Sequence, residues 1–129
     1  MIHLIVGNTG SGKTTYAKSL KEDIKGILFS IDNWNKTLFL MDKSENDGLP
    51  WFLERIERSE KMITQLILQL EEANTHSVLD LGLSKQEHRE KFRAFAKENN
   101  LEIKIHFLNV SKQLRKERVT HRNTEQRNT

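Results

Sequence analysis

Cysteine is absent from this 129-residue chain. Its absence excludes disulfides, thiolate nucleophiles and zinc-thiolate centres. No apolar run approaches the length of a membrane span, so no membrane partner is expected. The N-terminal apolar run stops at Gly7, which does not fit a secretory signal, and a cytoplasmic protein is expected. Repeats and low-complexity linkers are missing too, so residues 1–129 are expected to form a single domain. The five histidines, His3, His76, His88, His106 and His121, lack metal-ligand spacing. No Asn-Lys-x-Asp sequence appears, so nothing points to guanine. Charge of one sign is only slightly in excess, at a net +3. That balance suits an anionic ligand but discriminates weakly between a small anion and nucleic acid.

What is present is Gly7-Asn8-Thr9-Gly10-Ser11-Gly12-Lys13-Thr14, a complete G-x-x-x-x-G-K-[ST] motif. Its glycines permit positive φ and close approach of the backbone to a polyphosphate. The loop amides then form an anion-binding nest, reinforced by the N-terminus of the following helix. Lys13 is expected to reach the β- and γ-phosphates, and the Thr14 hydroxyl to bind Mg²⁺. Ile2-His3-Leu4-Ile5-Val6 reads as the strand before the motif and Lys13 to Leu20 as the helix after it. The competing reading is a glycine-rich turn that merely joins strand to helix.

Further along, strands and helices alternate. Gly26 to Ile31 reads as a second strand, Ser77 to Leu81 as a third and Leu101 to Val110 as a fourth. Asp42 to Pro50 reads as a loose segment with Asn46-Asp47-Gly48 as its turn. A long helix is expected from about Trp51, with Phe52, Ile56, Ile63, Leu66, Ile67 and Leu70 on one stripe. Ser84-Lys85-Gln86-Glu87 reads as a capping box opening another helix, which ends at Asn99-Asn100. Ser111 caps a last, basic helix. The alternation predicts an α/β fold with a parallel sheet covered on both faces.

In such sheets, ligands bind beyond the carboxyl ends of the strands. Asp32 and Asp80 stand at two of those ends. One carboxylate can hold Mg²⁺ and the other can orient or deprotonate an attacking hydroxyl. Asp32 also reads as a helix cap or turn residue before the Trp34 segment, and Asp80 as a chance strand end. Arg115, Arg118 and Arg122 share one face of the last helix and suit a lid over a triphosphate; a solvated basic helix is the alternative. Trp34 and Trp51 read either as packing residues or as stacking partners of an acceptor. His3 and His106 read as satisfied or edge histidines of their strands.

Gly7 to Thr15, Ser30-Ile31-Asp32, Val78 to Leu83 and Leu114 to Asn123 together resemble the small P-loop kinases of the AAA-33/zeta-toxin-like group. That group is itself similar to polynucleotide kinases and chloramphenicol phosphotransferase. The resemblance implies a three-layer P-loop NTPase fold, with about four visible strands in the order 2-3-1-4. It implies ATP and Mg²⁺ as cofactors, bound by Gly7, Asn8, Thr9, Gly10, Ser11, Gly12, Lys13, Thr14 and Thr15, with Thr14 and Asp80 on the metal. Catalytic roles fall on Lys13, Asp32, Arg115 and Arg118, with Asp32 as general base. The chain ends at Thr129, where relatives continue into another strand and helix that help hold the adenine; a C-terminally short member is expected. The resulting expectation is a kinase that moves the γ-phosphate of ATP to a hydroxyl of a small molecule or nucleotide. An NTP-hydrolysing switch module and a nucleic-acid 5′-end kinase are the alternatives, nucleic acid being the less favoured partner.

Overall fold

The computed structural model describes residues 1–7, 12–81 and 86–108. Among them, four strands form one sheet: β1 (Ile2–Gly7), β2 (Ile27–Ser30), β3 (Ser77–Asp80) and β4 (Ile103–Leu108). All pairings are parallel and the order is β2-β3-β1-β4, as the resemblance implied. The helices are α1 (Lys13–Ile24), α2 (Ile31–Leu38), α3 (Leu49–Glu72) and α4 (Gln86–Glu98), with a 3₁₀ turn at Leu40–Asp42. None of the described helices is long and apolar enough to cross a membrane.

The sheet divides the core into two clusters. Ile5, Val78 and Leu108 face α1, which contributes Tyr16, Ala17 and Leu20. Leu4, Val6, Phe29 and Leu79 face the opposite way, against Ile63 and Ile67 of α3 and Phe92 and Ala96 of α4. β1 lies between β3 and β4 with both faces covered, which explains its nearly unbroken apolar sequence. Fully burying each such aliphatic or aromatic side chain stabilises the fold by roughly 1.5–3 kcal/mol.

Element boundaries differ from the sequence reading for local reasons. β2 stops at Ser30 because Ser30 occupies the N-cap position of α2, which already includes Ile31 and Asp32. α3 begins at Leu49, since Pro50 is tolerated in the first helical turn, where its missing N–H costs nothing. Asn100 takes the left-handed conformation expected after α4, with φ 55°. The N-terminal half of the predicted capping box, Ser84-Lys85, lies outside the described residues, as do Asn109, Val110 and the basic helix. Gly26 is required by close approach. A Cβ there would lie 2.9 Å from the His76 carbonyl oxygen, where β2 enters beside β3.

Candidate functional site

Because all four strands run the same way, their carboxyl ends share one edge of the sheet. β1 ends there at Gly7 and α1 begins at Lys13, directly after Gly12. Gly12 is the N-cap residue with φ 83° and ψ 18°, a left-handed conformation open to glycine at little cost. Its carbonyl accepts the Tyr16 amide at 2.9 Å, closing the first turn of α1. That turn presents Lys13 and Thr14 towards the end of β3. Thr15, also in this turn, is exposed. Asn8, Thr9, Gly10 and Ser11 lie outside the described residues.

Asp80, the last residue of β3, is where these side chains meet. Lys13 Nζ lies 3.3 Å from one carboxylate oxygen, with side-chain exposures of 16% and 7%. The Thr14 hydroxyl donates to the other oxygen at 3.3 Å. The ammonium offsets much of the cost of placing a carboxylate where water is scarce. An alcohol oxygen beside a carboxylate is a hard-oxygen donor set of the kind that suits Mg²⁺. The two metal-ligand assignments made from sequence, Thr14 and Asp80, are thus brought together.

Asp32 stands on the neighbouring strand end. Ser30 pairs with Asp80 across β2 and β3, and Asp32 follows two residues later in the first turn of α2. Ser30, not Asp32, occupies the N-cap position, so the capping alternative for Asp32 does not hold. Its carboxylate is exposed at the favourable, positive end of the α2 dipole. Arg115, Arg118 and Arg122 lie outside the described residues.

Beyond Asp32, α2, the 3₁₀ turn and the start of α3 expose Leu38, Leu40, Met41, Leu49 and Leu53. Trp34 is a packing residue, with its ring 5.9 Å from that of Phe29 and its side chain against the core. Trp51 carries the Arg55 guanidinium over its ring at 4.1 Å, and Phe39 lies 6.0 Å from the same group.

Two clusters escaped the sequence reading. One joins Tyr16, His106 and His3. The other is centred on Glu60, which is 3% exposed within the sheet-facing stripe of α3 and bonded to His88 and Lys91 of α4, the latter at 3.1 Å. A charged residue between Ile56 and Ile63 on an otherwise apolar stripe was the available signal. Burial pushes the Glu60 carboxyl up, but the hydrogen bond and charge of His88, and then of Lys91, more than offset this. Its pKa is held below the ordinary 4.5. A depressed carboxylate contributes stability that is present above its unfolded value and lost as pH falls through its folded value. Urea unfolding from pH 7 to pH 3 should therefore show stability declining below about pH 4.5. Glu60→Gln should lose roughly 1.5–3 kcal/mol at neutral pH and flatten that acid decline. An unchanged acid limb in the variant would remove Glu60 as its source.

The AAA domain family model AAA_33 matches residues 2–129, and the chain belongs to that family. Among the described residues, the four-stranded 2-3-1-4 sheet, with the phosphate-loop motif lying in sequence between β1 and α1, has the P-loop kinase-like α/β fold. Among solved structures, one chain of the Pnkp1/Rnl/Hen1 complex is similar, with TM-score 0.66 and 21% identity over 90% of this chain and 38% of that one. A chain of the Pnkp1/Rnl/Hen1 RNA repair complex gives TM-score 0.64 and 20% identity over 96% of this chain and 36% of that one. A gluconokinase from Sinorhizobium meliloti 1021 gives TM-score 0.53 and 20% identity, covering 95% of this chain and 65% of its own. The chain therefore spans little more than a third of the first two relatives. No curated protein matches it.

Proposed function

We propose that this chain is an ATP- and Mg²⁺-dependent phosphotransferase acting on a hydroxyl acceptor. The observation that carries the reading is the convergence of Lys13 and Thr14 on Asp80 beside the exposed Asp32. Membership of the AAA_33 family and the kinase fold of its neighbours support it.

In this reading the loop from Gly7 to Thr15 binds the phosphates of ATP. Lys13 exchanges Asp80 for the β- and γ-phosphates and neutralises charge there. Thr14 and Asp80 would hold Mg²⁺, whose charge would screen the phosphates. Asp32 accepts the proton of the acceptor hydroxyl. The acceptor oxygen forms a bond to the γ-phosphorus as the bond from that phosphorus to the β-bridging oxygen breaks, and ADP leaves. Phosphoryl transfer asks chiefly for positioning and charge neutralisation, and these residues supply both. Arg115 and Arg118, assigned from sequence alone, would add positive charge over the transferring group. The acceptor is bounded by the α2–α3 segment, next to Asp32.

ADP formation from MgATP, measured against a panel of hydroxyl acceptors, tests the proposal. The panel should contain 5′-hydroxyl RNA, gluconate, nucleosides and simple sugars. An acceptor that accelerates ADP release and emerges phosphorylated is the expected result. ADP release at one rate with every acceptor and with none would overturn the kinase reading in favour of an NTP-hydrolysing module.

A further inference from the structure

A chain of three buried rings runs beneath the phosphate-loop helix. The Tyr16 hydroxyl lies 2.7 Å from His106 Nδ1, and His106 Nε2 lies 3.0 Å from His3 Nδ1. Tyr16, His106 and His3 are 7%, 1% and 7% exposed. The His76 and His3 rings pack edge to face with their centroids 5.4 Å apart. Two imidazole nitrogens facing one another hold a single proton between them. The chain is therefore directional: His106 cannot donate from both nitrogens to these partners while neutral. This arrangement specifies tautomers rather than merely filling space.

Its placement couples it to the nucleotide site. His106 pairs with Ile5 on β1, and Asp80 lies one residue past Leu79, the partner of Leu4. Asp80 and His106 thus flank Ile5 on the face covered by α1. Tyr16 is three residues past Lys13 and two past Thr14. Its amide closes the first turn onto Gly12, while its side chain is anchored to β4. One residue therefore ties the turn bearing Lys13 and Thr14 to a strand that takes no part in the Lys13–Asp80 contact.

We propose that Tyr16, held by His106 and His3, is a positioning residue that sets the height of the first α1 turn over the sheet, and with it the reach of Lys13 and Thr14. The inference rests on the nucleotide-site reading above, but it can fail separately.

The variants Tyr16→Phe, His106→Gln and His106→Asn test it. Gln keeps a polar atom near the Nε2 position and so retains the His3 contact but loses Tyr16. Asn keeps one near Nδ1 and retains Tyr16 but loses His3. MgATP affinity should fall about 3- to 10-fold in Tyr16→Phe and in His106→Gln, the size of one lost buried hydrogen bond, with much of the loss recovered in His106→Asn. Amide hydrogen exchange in the nucleotide-free protein gives a readout independent of binding. Protection at Tyr16 and Ala17 should drop in Tyr16→Phe and His106→Gln, and drop less in His106→Asn. Equal behaviour of the two His106 variants, or wild-type protection in Tyr16→Phe, would overturn the inference. Failure of the wild-type chain to bind MgATP would instead sink the nucleotide-site reading, and exchange would still decide the tether.

Discussion

Lys13→Ala is expected to weaken MgATP binding by a hundredfold or more, on the order of 2.7 kcal/mol. Two effects act together. The variant removes the cation proposed to reach the β- and γ-phosphates, and charge-assisted contacts to phosphate are about twice as strong as neutral ones. It also strips Asp80 of its ammonium partner at 3.3 Å, leaving a carboxylate of 7% side-chain exposure with the Thr14 hydroxyl. The uncompensated carboxylate then repels the incoming triphosphate as well as disfavouring the fold. Titration calorimetry with and without Mg²⁺ reads the first effect, and urea unfolding without nucleotide reads the second. Affinity within threefold of wild type would mean that Lys13 serves Asp80 alone, and that the motif does not operate as a phosphate site.

Asp32→Asn separates chemistry from binding. Its carboxylate is exposed at the start of α2 and stands outside the Lys13–Thr14–Asp80 cluster. Amide for carboxylate preserves size and one acceptor oxygen but removes the negative charge and the proposed base. With an active acceptor, kcat should fall by about 10²- to 10⁴-fold, the usual worth of a positioned general base. MgATP affinity should stay within about twofold, because charge at the phosphates is unaltered. A kcat within threefold of wild type would leave Asp32 as a favourable helix N-terminal charge and nothing more. A parallel loss of ATP affinity would point to a place on the metal or phosphates instead of on the acceptor.

The proposed nucleotide half of the candidate site was legible as a motif because its parts are contiguous. Gly12, Lys13 and Thr14 fall within one turn, where spacing along the chain is spacing in space. Asp80 was half legible: a hydrophobic strand ending in Asp is a recognisable local pattern, but its contact with Lys13 spans 67 residues and depends on β3 lying beside β1. The sheet order came from the family resemblance, since strand composition alone says nothing about which strands become neighbours. Element ends moved by a residue or two where local chemistry intervened, as at Ser30 and Pro50.

The interior polar groups were the least legible. His3 and His106 stand in strands that could equally have been edges. Neither Tyr16 nor Glu60 belongs to a motif or a recognised spacing. The sequence by itself determined the phosphate-loop motif, the alternation of strands and helices, and the absence of thiol or disulfide chemistry, because these rest on residue type and short-range spacing. Only the tertiary structure decided that Asp80 faces Lys13 and Thr14, that Tyr16 is roped to His106 and His3, and that Glu60 is paired with His88 and Lys91. Each of those contacts joins residues 28 to 103 positions apart or lies between elements that meet only on folding. Burial then makes the partner of a polar group, rather than its identity, the quantity that sets its energy.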